Sequence, residues 1–292
     1  MKKIIPLFIM GIVVISGLGV AEAKHMNSLS YFEKTATNET EYWGVTVIAL
    51  EETLAPHIYN GLTTAANWKE DHIRVLWKEH ATREAIIESI NWLSENVDDN
   101  DIALFSFDGH GSYIHGNYGI YPYSGGDITI EDLAFLIDQI SASGLIILFD
   151  CCFSGTFIKR EVTGRDYIYT RFEKSIKGSL TGDNRVILMS TMPYGLGSHW
   201  IDVSLSTGEK TDTCFSSKLA EAWINQVDKN NDNICSVEES FHYAKQQLFR
   251  YSLLTASRLL MQIGCYFAYG HFYLPFPTIY DNFEGGLPLI EF

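Results

Sequence analysis

A histidine and a pair of cysteines, each delivered at the end of an apolar run, are the residues of this chain best placed to do chemistry. Ile102-Ala103-Leu104-Phe105-Ser106-Phe107-Asp108 leads into Gly109-His110-Gly111-Ser112, and Leu145-Ile146-Ile147-Leu148-Phe149-Asp150 leads into Cys151-Cys152-Phe153-Ser154-Gly155. Each run has the length of a strand and breaks into glycine and polar residues. His110 and Cys152 lie 42 positions apart. If the two strands are parallel neighbours, both motifs emerge at the carboxyl edge, where open α/β sheets bind ligands. A thiol near its ordinary pKa is mostly protonated at neutral pH. An imidazole beside it takes that proton and returns it to a leaving amine. These are the parts of a covalent acyl-transfer site. Strand alternation sends Cys151 and Cys152 to opposite faces, so one of them faces the cleft. The plain alternative is a turn histidine and a buried cysteine pair, since free cysteine is among the most buried residue types. Adjacent cysteines lack the C-x₂₋₄-C spacing of zinc sites, which disfavours a metal held by His110, His115, Cys151 and Cys152.

The elements that must carry these motifs alternate between strand and helix. Strands are expected at 42–50, 73–77, 102–108, 145–150 and 185–190. Helices are expected over 51–68 with an interruption near Pro56, from Thr82 with Ile86, Ile87, Ile90 and Leu93 on one face, from Thr129, and at 214–227 and 237–251. Residues 113–123 read as a Gly/Tyr-rich hairpin or loop over the sheet edge, and 275–292 as an aromatic, Gly/Pro-rich tail. The alternation predicts an α/β fold with a mostly parallel sheet of about six strands and helices on both faces.

A formal charge of −15 argues against nucleic acid and anionic membrane surfaces as partners. Lys2-Lys3, an apolar stretch over 4–20 and Ala21-Glu22-Ala23 have the pattern of a secretory signal (residues 1–23) cut after Ala23, which predicts a secreted protein. The alternative is a membrane tether through an uncleaved N-terminal helix. Residues 24–41 read as a flexible lead-in to a domain at 42–292. If one cysteine stays free as nucleophile, the other four (Cys151, Cys214, Cys235 and Cys265 when Cys152 is that one) leave their pairing open.

The two motifs together resemble the caspase-type cysteine peptidases, the clan of caspases, metacaspases, legumains and gingipains. The shared pattern is His-Gly after one strand and Asp-x-Cys-x-Ser-Gly after the next, here His110-Gly111 and Asp150-Cys151-Cys152-Phe153-Ser154-Gly155. The Gln-Ala-Cys of animal caspases is absent, so the resemblance is to the prokaryotic metacaspase- and legumain-like branches. It implies a caspase-like three-layer sandwich and a cysteine endopeptidase that acts on peptide or protein substrates with no cofactor for catalysis. It selects Cys152 as nucleophile and His110 as acid/base, and places the Gly111 amide in the oxyanion hole. It places Asp150 in the pocket for the substrate's P1 side chain and Ser190 near the next pocket position. A carboxylate there pairs with Arg or Lys. Residues 191–200 lack the acidic pair of many legumain-like chains, which disfavours an asparagine pocket. Many relatives cut themselves after the nucleophile, where Lys159, Arg160, Arg165, Arg171, Lys174 and Lys177 stand in a polar stretch that also reads as a solvated loop.

Asp228-Lys229-Asn230-Asn231-Asp232-Asn233-Ile234-Cys235-Ser236-Val237-Glu238-Glu239 follows EF-hand spacing, with Asp228, Asn230, Asp232, Ser236 and Glu239 as oxygen ligands for a structural Ca²⁺. Asn233 stands where the motif has glycine, and Cys235 where it has an aliphatic residue. The plain alternative is a polar turn between two helices. His199, His242 and His271 have no partner pattern and read as surface or core histidines. Two functional rivals share the scaffold: a non-catalytic, calcium-stabilised binding protein, and a transpeptidase or ligase using the same two residues.

Overall fold

Strands that must be buried on both faces read as continuous apolar runs, and two of them form the centre of this protein. In the computed structural model the structure describes residues 39–114, 117–161, 175–177, 179–192, 197, 199–203, 207–253 and 276–292. The signal segment, most of the lead-in, His271 and Cys265 lie outside them.

The chain runs through β1 (Tyr42–Ile48), α1 (His57–Leu62), β2 (Ile73–Trp77), α2 (Arg83–Asn96), β3 (Ile102–Asp108), β4 (His110–Ile114), β5 (Asn117–Tyr121), β6 (Ile128–Thr129), α3 (Ile130–Ile137) and β7 (Gly144–Asp150). It continues through β8 (Lys159–Glu161), β9 (Ser175–Lys177), β10 (Arg185–Met189), β11 (Trp200–Val203), β12 (Lys210–Thr213), α4 (Phe215–Ile224), β13 (Ile234–Ser236), α5 (Val237–Leu253), β14 (Thr278–Asn282) and β15 (Pro288–Glu291).

Six strands form the central sheet, in the order β14-β10-β7-β3-β1-β2. All neighbours are parallel except β10 and β14. Alternation along β3 and β7 divides the core in two. Ala103, Phe105, Phe107, Leu145, Ile147 and Phe149 face Ile86, Ile90 and Leu93 of α2 and Leu133 and Ile137 of α3. Ile102, Leu104, Ile146 and Leu148 face Leu62 of α1, Leu219 and Trp223 of α4, and Phe241 and Leu248 of α5. The result is the expected sandwich of a parallel sheet between two helical layers. The helix starts are fixed locally. Thr82 accepts from the Ala85 amide at 3.2 Å and Thr129 from the Asp132 amide at 3.1 Å.

Three expectations are corrected. Helix within 51–68 is confined to the six residues of α1, which starts just after Pro56 where the interruption was expected, and residues 63–68 run on as turns instead of helix. The hairpin over the sheet edge begins at His110 itself, with β4 antiparallel to β5. The stretch 275–292 is not a tail. Its β14 closes the sheet against β10, and β15 pairs with β13. Leu287, Leu289 and Ile290 are fully buried there, and Trp68 donates its indole N–H to the Leu289 carbonyl at 2.7 Å.

Candidate active site

Strand order sets the position of the site. From β1 the chain winds outward to β2 and then crosses back to β3, so the winding reverses at the β1–β3 boundary. Ligands bind at the carboxyl edge beside such a reversal. A cleft of about 450 Å³ opens there. Leu50 and Glu52 after β1, Asp108, Gly109 and His110 after β3, and Asp150, Cys151 and Cys152 after β7 line it, with Gly197, His199 and Cys214 from later segments. His110 is exposed and Cys152 half-buried, so both reach solvent on one cleft.

The two cysteines part as strand alternation requires. The Cys151 side chain packs into the core at 2% exposure. Burial, then the neighbouring Cys152, Asp150 and Asp108, push its thiol well above the ordinary value. Cys152 turns toward the cleft. Burial raises its thiol too; the Gly197 amide, which donates to Sγ at 3.3 Å, works in the opposite sense, and Asp150 adds to the rise. A resting thiol raised in this way needs a base to become a nucleophile. The Cys152 and Gly111 amides also act to lower this thiol's pKa.

The turn that carries the nucleophile is held under strain. Phe153 has φ +64°, rare for a bulky residue. Its ring sits 5.8 Å from that of Tyr118 on β5. From the far side, Ser154 Oγ and Thr191 Oγ1 lie 3.0 Å apart, and the Thr191 amide donates to Ser154 Oγ at 3.2 Å. Ser190 does not line the cleft. Its hydroxyl donates to the Cys151 carbonyl at 3.3 Å, so it props the nucleophile turn from behind.

Asp150 is buried at the cleft's floor and accepts the Ser216 amide on one carboxylate oxygen at 2.8 Å. Directly across the ladder in register stands Asp108, also buried in the cleft. Burial, then Asp150 and Asp212, push the Asp108 carboxyl well above the usual range. The residue analysis missed Asp108, although its place two before His110 repeats that of Asp150 two before Cys152.

His199 was also misread. Its ring lines the cleft and donates to Asp212 Oδ1 at 2.9 Å, while His57 donates to Asp212 Oδ2 at 2.9 Å and the Leu54 amide to the same oxygen at 2.6 Å. Burial alone would raise the Asp212 carboxyl; the His199, Leu54 and His57 bonds outweigh it and hold the carboxyl below the ordinary 3.8. Its stabilising effect is therefore complete above that ordinary value and is lost as pH falls through the lower folded one. Asp212→Asn is expected to lower unfolding stability by about 1–3 kcal/mol at pH 7, the cost of leaving buried donors unmatched. The gap to the unaltered protein should narrow in acid. Urea unfolding at pH 7 and in the acid range reads both.

The calcium-type loop joins α4 to α5. Asp228 accepts the amides of Asn231, Asp232 and Asn233. Asn233 has φ +66°, the left-handed conformation for which the motif uses glycine. Cys235 points inward and lies 3.2 Å from Ser240 Oγ; burial raises its thiol to about 11. Glu239 accepts the Lys229 and Ser236 amides, and Asn230 donates to Asp232. The donor set suits calcium. Among the described residues Asp228, Asp232 and Glu239 do not form a group whose ligand atoms all lie within 4.8 Å of one another.

Cys151, Cys152, Cys214 and Cys235 are free thiols. Of the basic stretch after the nucleophile, β8 and β9 pair as a hairpin, and Arg165, Arg171 and Lys174 lie outside the described residues. His115, from the zinc alternative, lies outside them too. No helix among the described residues is long and apolar enough to cross a membrane.

Comparison with known proteins agrees with this geometry. A family model described as the metacaspase, peptidase C14 domain matches residues 49–161, a stretch that holds His110, Asp150 and Cys152. The crystal structure of caspase-1 from Spodoptera frugiperda is similar at TM-score 0.50 and 12% identity, over 86% of this chain and 91% of that one. The fold is caspase-like. A Geobacter sulfurreducens protein of known crystal structure aligns at TM-score 0.46 and 15% identity, over 71% of this chain and 89% of that one. No curated protein matches. The metacaspase match supports a cysteine peptidase, and on this caspase-like sheet it falls where the two motifs share a cleft.

Proposed function

We propose that this caspase-like protein is an exported cysteine endopeptidase that cuts after Arg or Lys, with Cys152 as nucleophile and His110 as acid/base. The observation that carries the reading is the shared cleft: thiol and imidazole follow adjacent parallel strands and line one opening whose floor is acidic. Cys152 gives its proton to His110, attacks the scissile carbonyl and forms a thioester; His110 returns the proton to the leaving amine, and water then releases the acyl group. The amides of Gly111 and Cys152 supply charge-stabilising donors for the oxyanion. Asp150, with Asp108 beside it, receives the cationic P1 side chain.

Fluorogenic peptides with Arg, Lys, Asn or Asp at P1 test this. Turnover confined to Arg and Lys is expected, with Asp150→Asn raising KM for the basic peptides. Preference for Asn or Asp overturns the assigned specificity. No turnover, together with no labelling by a thiol-reactive peptide, overturns the enzyme and leaves the binding-protein rival.

The 228–239 loop is proposed to take a structural Ca²⁺ through Asp228, Asn230, Asp232, Ser236 and Glu239. Millimolar calcium is expected to raise Tm by several degrees, and Glu239→Gln to remove that rise. A calcium-independent Tm overturns the site.

A further inference from the structure

Cys214 joins Asp108 and Asp150 in a buried group that binding of a basic side chain accounts for only in part, since a thiol has no part in holding a cationic side chain. One carboxylate oxygen from each aspartate and the Cys214 sulfur all lie within 4.8 Å of one another, and all three residues are buried. They reach this point from three elements: the ends of β3 and β7, and the residue that caps α4. Asp150 has one oxygen engaged by the Ser216 amide. Cys214 accepts the Ser217 amide at 3.4 Å. Asp108 is only 7% exposed, lines the cleft, and its carboxylate has no hydrogen-bond partner among the described residues. A desolvated carboxylate set beside a second carboxylate and a thiol is costly unless a cation joins them.

We propose that these three side chains bind a zinc-class divalent cation on the cleft floor. Two oxygens and a sulfur suit a borderline-soft ion, whereas calcium and magnesium take oxygen alone. Three protein ligands leave a fourth position open toward the cleft, where water completes a tetrahedron. On binding, the Cys214 S–H bond breaks, its proton goes to solvent and an S–metal bond forms, with no change of oxidation state. The site is separate from Cys152 and His110. A cation seated there also occupies the place of the substrate's basic side chain, so it acts as a competitive inhibitor. That last step rests on the proposed P1 pocket; the binding itself does not.

The test uses Co²⁺ as a zinc surrogate with the purified Cys152→Ala protein, which lacks the other cleft thiol. One Co²⁺ per chain with a thiolate-to-cobalt absorption band, displaced by Zn²⁺, is expected. Oxygen-only binding at the 228–239 loop gives no such band. Cys214→Ser keeps an oxygen cap at the head of α4 and is expected to abolish the band. Even an outer-shell change near a metal costs about 10–100-fold in affinity, so Asp108→Asn is expected to weaken binding by at least about 100-fold. A band that survives Cys214→Ser, or an affinity unmoved by Asp108→Asn, overturns the site; absence of binding to the Cys152→Ala protein does so as well. Should Cys214→Ser not fold, Asp108→Asn decides. Where the Cys152 protein turns over an Arg peptide, Zn²⁺ should raise KM at constant kcat; a fall in kcat alone overturns the competition while leaving the metal site standing. If no peptide is cleaved, the cobalt titration still gives its answer.

Discussion

Cys152→Ala is expected to abolish the proposed peptide cleavage, by about 10⁴-fold or more, and Cys151→Ala to leave it within a few fold of the unaltered protein. The contrast follows from one step along the backbone. Cys152 is half-buried on the cleft, with the Gly197 amide on its sulfur. Cys151 is sealed among Phe149, Phe157 and the rest of the upper core. A thiol in that position neither meets substrate nor ionises at neutral pH, because burial opposes the thiolate. The two variants therefore separate chemistry from packing. Cys151→Ala removes a buried sulfur and is expected to cost about 1 kcal/mol in stability, whereas Cys152→Ala should melt close to the unaltered protein. Steady-state rates with an Arg-P1 peptide and thermal melts of both variants read the result. Equal loss of activity in the two would undo the assignment of the nucleophile.

Gly111→Ala is expected to reduce kcat/KM by about 10²–10³-fold, the usual cost of losing one oxyanion donor, and to destabilise the fold. A Cβ built on Gly111 would sit 1.8 Å from the Cys152 carbonyl oxygen and 2.7 Å from its carbonyl carbon. No rotamer relieves a backbone clash of this kind. The start of β4 and the nucleophile turn must move apart, which carries the Gly111 amide away from the reacting carbonyl. The position has ordinary φ, so glycine is required here for space and not for conformation. Kinetics with the Arg-P1 peptide and a urea melt measure the two effects. A Gly111→Ala protein as active as the parent would show that this amide takes no part.

The expected fold and sheet were legible because their signal is local. Two apolar runs of seven residues, each ending in Asp and a small or nucleophilic pair, define β3, β7 and both motif residues. The helix after Thr82 was legible from the spacing of Ile86, Ile87, Ile90 and Leu93, and the structure adds Thr82 as its cap. What stayed hidden depends on distant partners. Asp212 sits on a short strand that begins with two exposed residues, and only the fold reveals that His57 and His199, 155 and 13 positions away, converge on it. Ser190 ends an apolar strand, which says nothing about which way its hydroxyl turns. The segment 276–292 looked like a tail because its short apolar stretches are broken by Gly285, Gly286 and Pro288. Pairing to β10 and β13 made it sheet. The segment 51–68 shows the reverse error: the break at Pro56 was legible, but residues 63–68, read as helix from composition, turn away once α1 has packed against α4.

The placement of β14 and β15 has a consequence for biosynthesis. Until residues 276–292 are synthesised, β10 presents an unpaired edge and the lower core has a gap where Leu287, Leu289 and Ile290 belong. His110 and Cys152 are made long before that. A nascent chain thus holds His110 and Cys152 well ahead of the strands β14 and β15 that complete their scaffold.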